Sequence, residues 1–190
     1  MDLVSPIPLR RSRMSSARLG LLIAGLVLIS LVLLGRPGID WFLVKQSLRH
    51  RFSNVEWITT ATLADWLADQ KRPPPLLLDV RTDREWDVSH LPGSRRVDPN
   101  ASVQEATVGL PKTTPIVTYC AVGYRSGAFA AKLRAAGFTA VRNLDGSIFQ
   151  WANEHRPLVR EEKPVTTVHP YTRLWGRLLK DDVRAPLPKS

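Results

Sequence analysis

Cys120 is the only cysteine of this 190-residue chain and its one ready nucleophile. It stands between a strand-like run, Pro115-Ile116-Val117-Thr118-Tyr119, and a helical pattern that begins near Ser126. The connecting segment reads Cys120-Ala121-Val122-Gly123-Tyr124-Arg125-Ser126. A segment that leaves a strand and opens a helix curls successive N–H groups around one point and adds the positive end of a helix dipole. That address stabilises an anionic sulfur. Gly123 permits a positive φ or a close approach to the sulfur, Ala121 and Val122 put no charge or bulk in the mouth, and Arg125 sets a cation beside it. A cysteine read in isolation is more often a small buried hydrophobe, so its neighbours in sequence decide the matter.

Those neighbours form an ordered series. Ile58-Thr59-Thr60-Ala61-Thr62-Leu63-Ala64-Asp65-Trp66-Leu67 reads as a helix and Leu76-Leu77-Leu78-Asp79-Val80-Arg81 as a strand with a charged end. Then come Glu85-Trp86, the turn His90-Leu91-Pro92-Gly93-Ser94, the cysteine segment, and Gly137 through Ser147 with Trp151. In this order and spacing, residues 56–158 resemble the rhodanese (sulfurtransferase) family. The resemblance implies an α/β fold, a rhodanese-like three-layer domain around a central, mostly parallel sheet. It also implies a persulfide cycle in which Cys120 takes sulfur from a small donor and passes it to a thiol or protein acceptor. The loop residues Ala121, Val122, Gly123, Tyr124, Arg125 and Ser126 would then bind the anionic substrate, with Asp79 and Arg81 as supporting residues.

Finer features bear on the substrate. Cys120 to Arg125 spans six positions, the rhodanese length, whereas the related cell-cycle phosphatases have a loop one residue longer. Ala121 and Val122 stand where the two-domain thiosulfate enzymes carry basic residues, which points away from thiosulfate. Glu85 aligns with the substrate-binding arginine of those enzymes and is read instead, with Asp79 and Arg81, as part of a polar network that braces the loop. His90 is read as a turn-fixing residue. His50, His155 and His169 share no ligand-like spacing with the cysteine, so no metal is expected, and without a GxGxxG or P-loop pattern no cofactor is expected either.

The supporting elements follow from alternation. Leu76 to Val80 and Ile116 to Tyr119 are short apolar runs suited to strands buried on both faces. Helices are expected over 61–68, 126–136 and 147–154, with Phe129, Leu133 and Ala136 as a core stripe. Pro73-Pro74-Pro75 stiffens the approach to the first central strand. A chain this long buries one sound core, and its single cysteine excludes an internal disulfide and a second thiol that would accept the sulfur within the chain.

Outside the domain, Arg10, Arg11, Arg13 and Arg18 precede an uncharged run over 19–35 that is near the length of a bilayer span. A cleaved signal peptide and a buried helix are the rival readings. The favoured one is an uncleaved single-pass anchor in a bacterial inner membrane with the N-terminus cytoplasmic, because no small-residue cleavage site follows. The organisation expected is a basic tail over 1–18, an N-terminal transmembrane helix over 19–35, a juxtamembrane linker over 36–55, the domain over 56–158 and a basic tail over 159–190. Trp41, Phe42, Lys45, Arg49 and Arg51 suit a membrane interface. In the tail, Tyr171, Leu174, Trp175, Leu178 and Leu179 share a helical face, which fits an interfacial helix or packing against the domain equally.

The formal charge of +10 does not indicate nucleic acid, because residues 56–155 carry 11 basic and 11 acidic residues and the excess lies in the flanks. Oligomeric state is not legible. Three functions compete: a membrane-anchored sulfurtransferase, a non-enzymatic module that binds a partner or senses reactive sulfur, and a phosphatase or arsenate-reductase-like thiolate enzyme.

Overall fold

Runs of apolar residues too short for helices alternate with longer helical stretches, and in the computed structural model, which describes residues 37–187, each run becomes a buried strand. The elements in order are α1 (Pro37–Arg51), β1 (Glu56–Ile58), α2 (Thr60–Ala68), β2 (Leu76–Asp79), α3 (Asp83–Trp86), β3 (Arg95–Arg96) and α4 (Val103–Ala106). They continue with β4 (Ile116–Tyr119), α5 (Tyr124–Ala135), β5 (Val141–Leu144), α6 (Ser147–Asn153), β6 (Leu158–Arg160) and β7 (Lys163–Val165). Two 3-10 turns, Trp175–Leu178 and Asp181–Val183, follow.

Strands β1 to β5 form one parallel sheet in the order β1-β5-β4-β2-β3, with β4 at its centre. Successive side chains of a strand point to opposite faces, so each central strand feeds two cores. Leu77 and Val117 enter one core with Leu63 and Trp66 of α2 and Phe149 of α6. Leu78 and Ile116 enter the other with Phe129 and Leu133 of α5. The result is a three-layer α/β domain around a parallel sheet. β6 and β7 pair separately as an antiparallel hairpin.

Three expectations are corrected. Helix α5 starts at Tyr124 rather than near Ser126, because Gly123 at φ 114° turns the chain directly into it. Tyr124, Arg125 and Ser126 therefore form its first turn. The stretch expected as a linker over 36–55 holds α1, whose Leu48 is buried in the core together with Phe52 and Val55 just beyond it. Trp41 Nε1 donates to the carbonyl of Leu178 at 3.2 Å, and Lys45 and Arg49 reach the Asp145 carboxylate at 3.4 and 2.8 Å, so these three groups serve the domain itself. The tail is not one amphipathic helix. Leu178, Leu179 and Val183 lie in the core, Trp175 packs against it, and Tyr171 and Leu174 remain exposed.

The apolar run over 19–35 lies outside the described residues. Among those described, no helix is long and apolar enough to cross a membrane.

Helix α1 as part of the domain is tested by Leu48→Ala, which removes a buried side chain and should cost about 2–3 kcal/mol in urea unfolding. An unchanged midpoint would separate α1 from the core.

Candidate active site

Cys120 follows the last residue of the central strand β4, which is flanked by β2 and β5. Its N–H donates to Ser147 Oγ at 3.2 Å, and that hydroxyl donates on to the carbonyl of Leu144 at 3.2 Å. The carbonyls of Cys120 and Ala121 accept the N–H groups of Ile148 and Phe149 at 3.2 and 3.1 Å. The open N-terminal turn of α6 thus finds its partners in the cysteine segment. Asn143 Nδ2 donates to the carbonyl of Gly123 at 2.9 Å, while Asn143 Oδ1 accepts from Thr118 Oγ1 at 3.2 Å. Shaped in this way, the loop aims the N–H of Gly123 at Cys120 Sγ, 3.2 Å away.

A second set of bonds runs through charge. Arg81 is fully buried, and its guanidinium donates to both oxygens of Asp79 at 2.6–3.0 Å and to the carbonyls of Ser89 (2.6 Å) and Glu85 (3.3 Å). Burial alone would lower the pKa of such a cation, and the Asp79 carboxylate reverses that, so Arg81 stays charged. The same backbone region carries Glu85 at the start of α3. Its Oε2 accepts from the N–H and hydroxyl of Thr82 at 3.2 and 2.9 Å, and its two oxygens receive Arg125 Nη1 and Nη2 at 2.8 and 2.7 Å. Burial pushes the Glu85 carboxyl up, yet hydrogen bonding and charge from Arg125, with help from Arg81 and Thr82, hold it below the usual range.

The loop residues divide by what their side chains do. Ala121 and Val122 turn theirs into the core. Tyr124 is exposed and meets Phe52 edge-on at 5.7 Å between ring centroids. Arg125 was read as the cation beside the sulfur; its fork is occupied by Glu85, which leaves the pair close to neutral. Ser126 is buried, its carbonyl accepts from Thr118 Oγ1 at 3.1 Å, and its hydroxyl has no partner among the described residues. Asp79 and Arg81, expected as supporting residues, form a fully buried ion pair. His90 Nδ1 lies 3.3 Å from the carbonyl of Trp86, and its ring stacks on that indole at 3.6 Å. Among the described residues, no His, Cys, Asp and Glu side chains cluster as metal ligands.

Thr118, Asn143 and Ser147 carry much of the loop's geometry, and sequence reading gave them no role. Asn143 and Ser147 stand within the quoted segment 137–147, where polar residues closing a buried strand were the available signal.

Two further segments cover the loop. A Cβ built on Gly123 would lie in ordinary contact with the Trp57 ring at 3.4 Å and with Leu48 of α1 at 3.5 Å, so it is the φ of 114° that calls for glycine there. From the C-terminal side, the ring of Tyr171 sits over the Arg125 guanidinium at 4.7 Å. Burial holds His169 below its ordinary imidazole value, with Arg81, Arg84 and Arg125 acting in the same direction against Glu85. Cys120 itself is 1% exposed.

Residues 60–154, half of the chain, match the Rhodanese-like domain family. The chain is similar to "Probable adenylyltransferase/sulfurtransferase MoeZ" of Mycobacterium tuberculosis, 34% identical over 102 residues, which are 53% of this chain and 25% of that protein. It is also similar to "Sulfurtransferase" of Allochromatium vinosum, 32% identical over 108 residues, 57% of this chain and 98% of the relative. This chain thus spans about a quarter of the first curated relatives' length and nearly all of the second relative's. Among solved structures, a rhodanese-like domain protein from Staphylococcus aureus superposes with a TM-score of 0.50 at 25% identity, covering 57% of this chain and 100% of that one.

The Glu85–Arg125 pair makes a pH prediction. Because the folded carboxyl is held low, its stabilisation is present above the unfolded value of about 4.3 and is lost as pH falls through the folded one. Glu85→Gln should therefore cost about 2 kcal/mol at pH 7, the scale of a charge-assisted hydrogen bond. The gap to wild type should close as pH falls below the unfolded value in urea unfolding. A gap independent of pH would remove the ion pair from the account.

Proposed function

The chain belongs to the rhodanese-like domain family, and on that premise we propose that it is a sulfurtransferase that carries sulfane sulfur as a persulfide on Cys120. The observation that supports the reading most is the Gly123 N–H aimed at Cys120 Sγ within a loop tied down at both ends. An amide so placed stabilises negative charge on sulfur without reorganising.

In the first step the Cys120 thiolate attacks the outer sulfur of a small donor. The donor's sulfur–sulfur bond breaks and the leaving group departs with the electron pair. In the second, a nucleophilic acceptor attacks the terminal sulfur of the Cys120 persulfide, and the electron pair of that bond returns to Cys120 as thiolate. The chain has no other cysteine, so the acceptor comes from outside. Loop amides bind the anionic sulfur, Ser147 and Asn143 hold the loop, and the Asp79–Arg81 and Glu85–Arg125 pairs brace its far side.

Phosphate-ester chemistry is a weaker reading of the same cysteine. An oxyanion with several charged oxygens is matched by a free guanidinium fork, and both arms of the Arg125 fork are taken by Glu85. A scaffold role would need the fold and not the thiol, and a reactive-sulfur sensor would need the thiol without turnover; the assay below separates both from catalysis.

Anchoring belongs to the same proposal. The uncharged run over 19–35 and the arginines before it support a single-pass anchor with a cytoplasmic N-terminus. Exposed Phe42 and Leu43 of α1 and exposed Leu174 supply apolar surface of the kind that meets a bilayer.

Sulfur transfer to cyanide, read as thiocyanate, should be abolished in Cys120→Ser while the melting curve stays near wild type. Equal turnover by the variant would refute the proposed chemistry. Under the anchoring reading, the full chain resists alkaline carbonate extraction from membranes and its domain is digested by protease added to spheroplasts. Release by carbonate, or protection of the domain, would contradict the anchor or its orientation respectively.

A further inference from the structure

The C-terminal segment beyond the family match passes beside the cysteine loop, where Tyr171 meets Arg125, as a strap pinned at both ends. Val168 fixes one end: its N–H donates to the carbonyl of Val183 at 2.8 Å, and its own carbonyl accepts from Ala185 at 3.0 Å. The other end is fixed by Trp175 and Leu178 against the core. In the middle, Pro170 lies so close to Gly176 that a Cβ there would come within 2.7 Å of it. Between the pins, Tyr171 is 43% exposed and contributes nothing to either core.

Tyr171 nevertheless holds a costly conformation. Its φ is 62°, a left-handed value that a bulky side chain rarely adopts. Its N–H donates to His169 Nδ1 at 3.0 Å, and its ring rests on the Arg125 guanidinium. Arg125 is itself immobilised by Glu85. The ring is therefore seated on the fixed rim of the loop that carries the nucleophile. On the other flank, Leu48 and Trp57 fill the space against Gly123, and Leu48 is buried in the core. Of the groups around the loop, Tyr171 is held by surface contacts and is the one that can yield.

We infer that Tyr171 is an access-determining residue for Cys120: its ring, seated on Arg125, admits small sulfur donors and acceptors and excludes bulky ones. The inference rests on the proposed role of Cys120 as nucleophile and narrows its partners to low-molecular-weight thiols and sulfane-sulfur compounds. A folded protein carrying the acceptor thiol is on the excluded side. Because the ring's seat is a cation–π contact, its removal opens the approach without touching the loop's own hydrogen bonds.

The test is the rate of Cys120 alkylation in the full chain by iodoacetamide and by a bulky dye-bearing maleimide, each followed by mass spectrometry. Tyr171→Ala should raise the bulky-to-small rate ratio about fivefold or more, the factor expected when one cation–π contact is lost. Tyr171→Gly, which suits the left-handed backbone, should do the same even if the alanine variant folds poorly. Tyr171→Phe keeps the ring and should keep the wild-type ratio. An unchanged ratio in the glycine variant would overturn the inference. Alkylation needs no sulfur donor, so a failure of sulfur transfer would leave this result standing, and the reverse also holds.

Discussion

A guanidinium with no access to water must be paired, and Arg81 meets that demand with one carboxylate and two carbonyls that belong to different parts of the chain. Satisfying it ties the end of β2 to α3 and to the turn before His90. Glu85 is thereby held with its oxygens facing the first turn of α5, where they receive Arg125. An unpaired ion at this depth would cost several kcal/mol, so the chain has little freedom to arrange these segments otherwise. On this side the cysteine loop inherits its rigidity from a residue with no exposed surface.

The opposite side of the loop is held by neutral groups. Ser147, Asn143 and Thr118 together engage the backbone on both sides of Cys120, and the first turn of α6 adds two more N–H donors. The division has a chemical consequence. Charges near the loop are balanced in pairs, Asp79 with Arg81 and Glu85 with Arg125, and the group aimed at the sulfur itself is the Gly123 N–H. The proposed persulfide, singly charged, is matched by an amide dipole and needs no free cationic fork of the kind that suits a phosphate or a thiosulfate dianion.

What was legible in the sequence follows from how local each signal is. Val117 and Tyr119 flanking Thr118, then Cys120, then Gly123 form one contiguous message of strand, turn and helix, and the structure follows it, with the helix beginning two residues early because Gly123 itself makes the turn. Asp79, Arg81 and Glu85 were readable as a buried network because charges that close an apolar strand need partners. Asn143 and Ser147 were not, since their partners lie 20 and 27 residues away and nothing periodic marks them. Helix α1 was misread for the same reason. Trp41 and Arg49 look like interface residues until the Leu178 carbonyl and Asp145, 137 and 96 positions distant, are brought beside them. The tail stripe had helical spacing, but Pro170 packed on Gly176 and a left-handed Tyr171 break the helix, so its apolar side chains reach the core from short turns.

The account stands on one atom, the sulfur that Cys120 is said to carry. A crystal structure of the chain after exposure to a sulfane-sulfur donor tests this most directly. It should show one additional sulfur about 2 Å from Cys120 Sγ, the ordinary disulfide bond length, lying among the loop amides. With no acceptor present, a bare thiol at Cys120 in protein that has consumed the donor, or sulfur bound elsewhere on the chain, would contradict it.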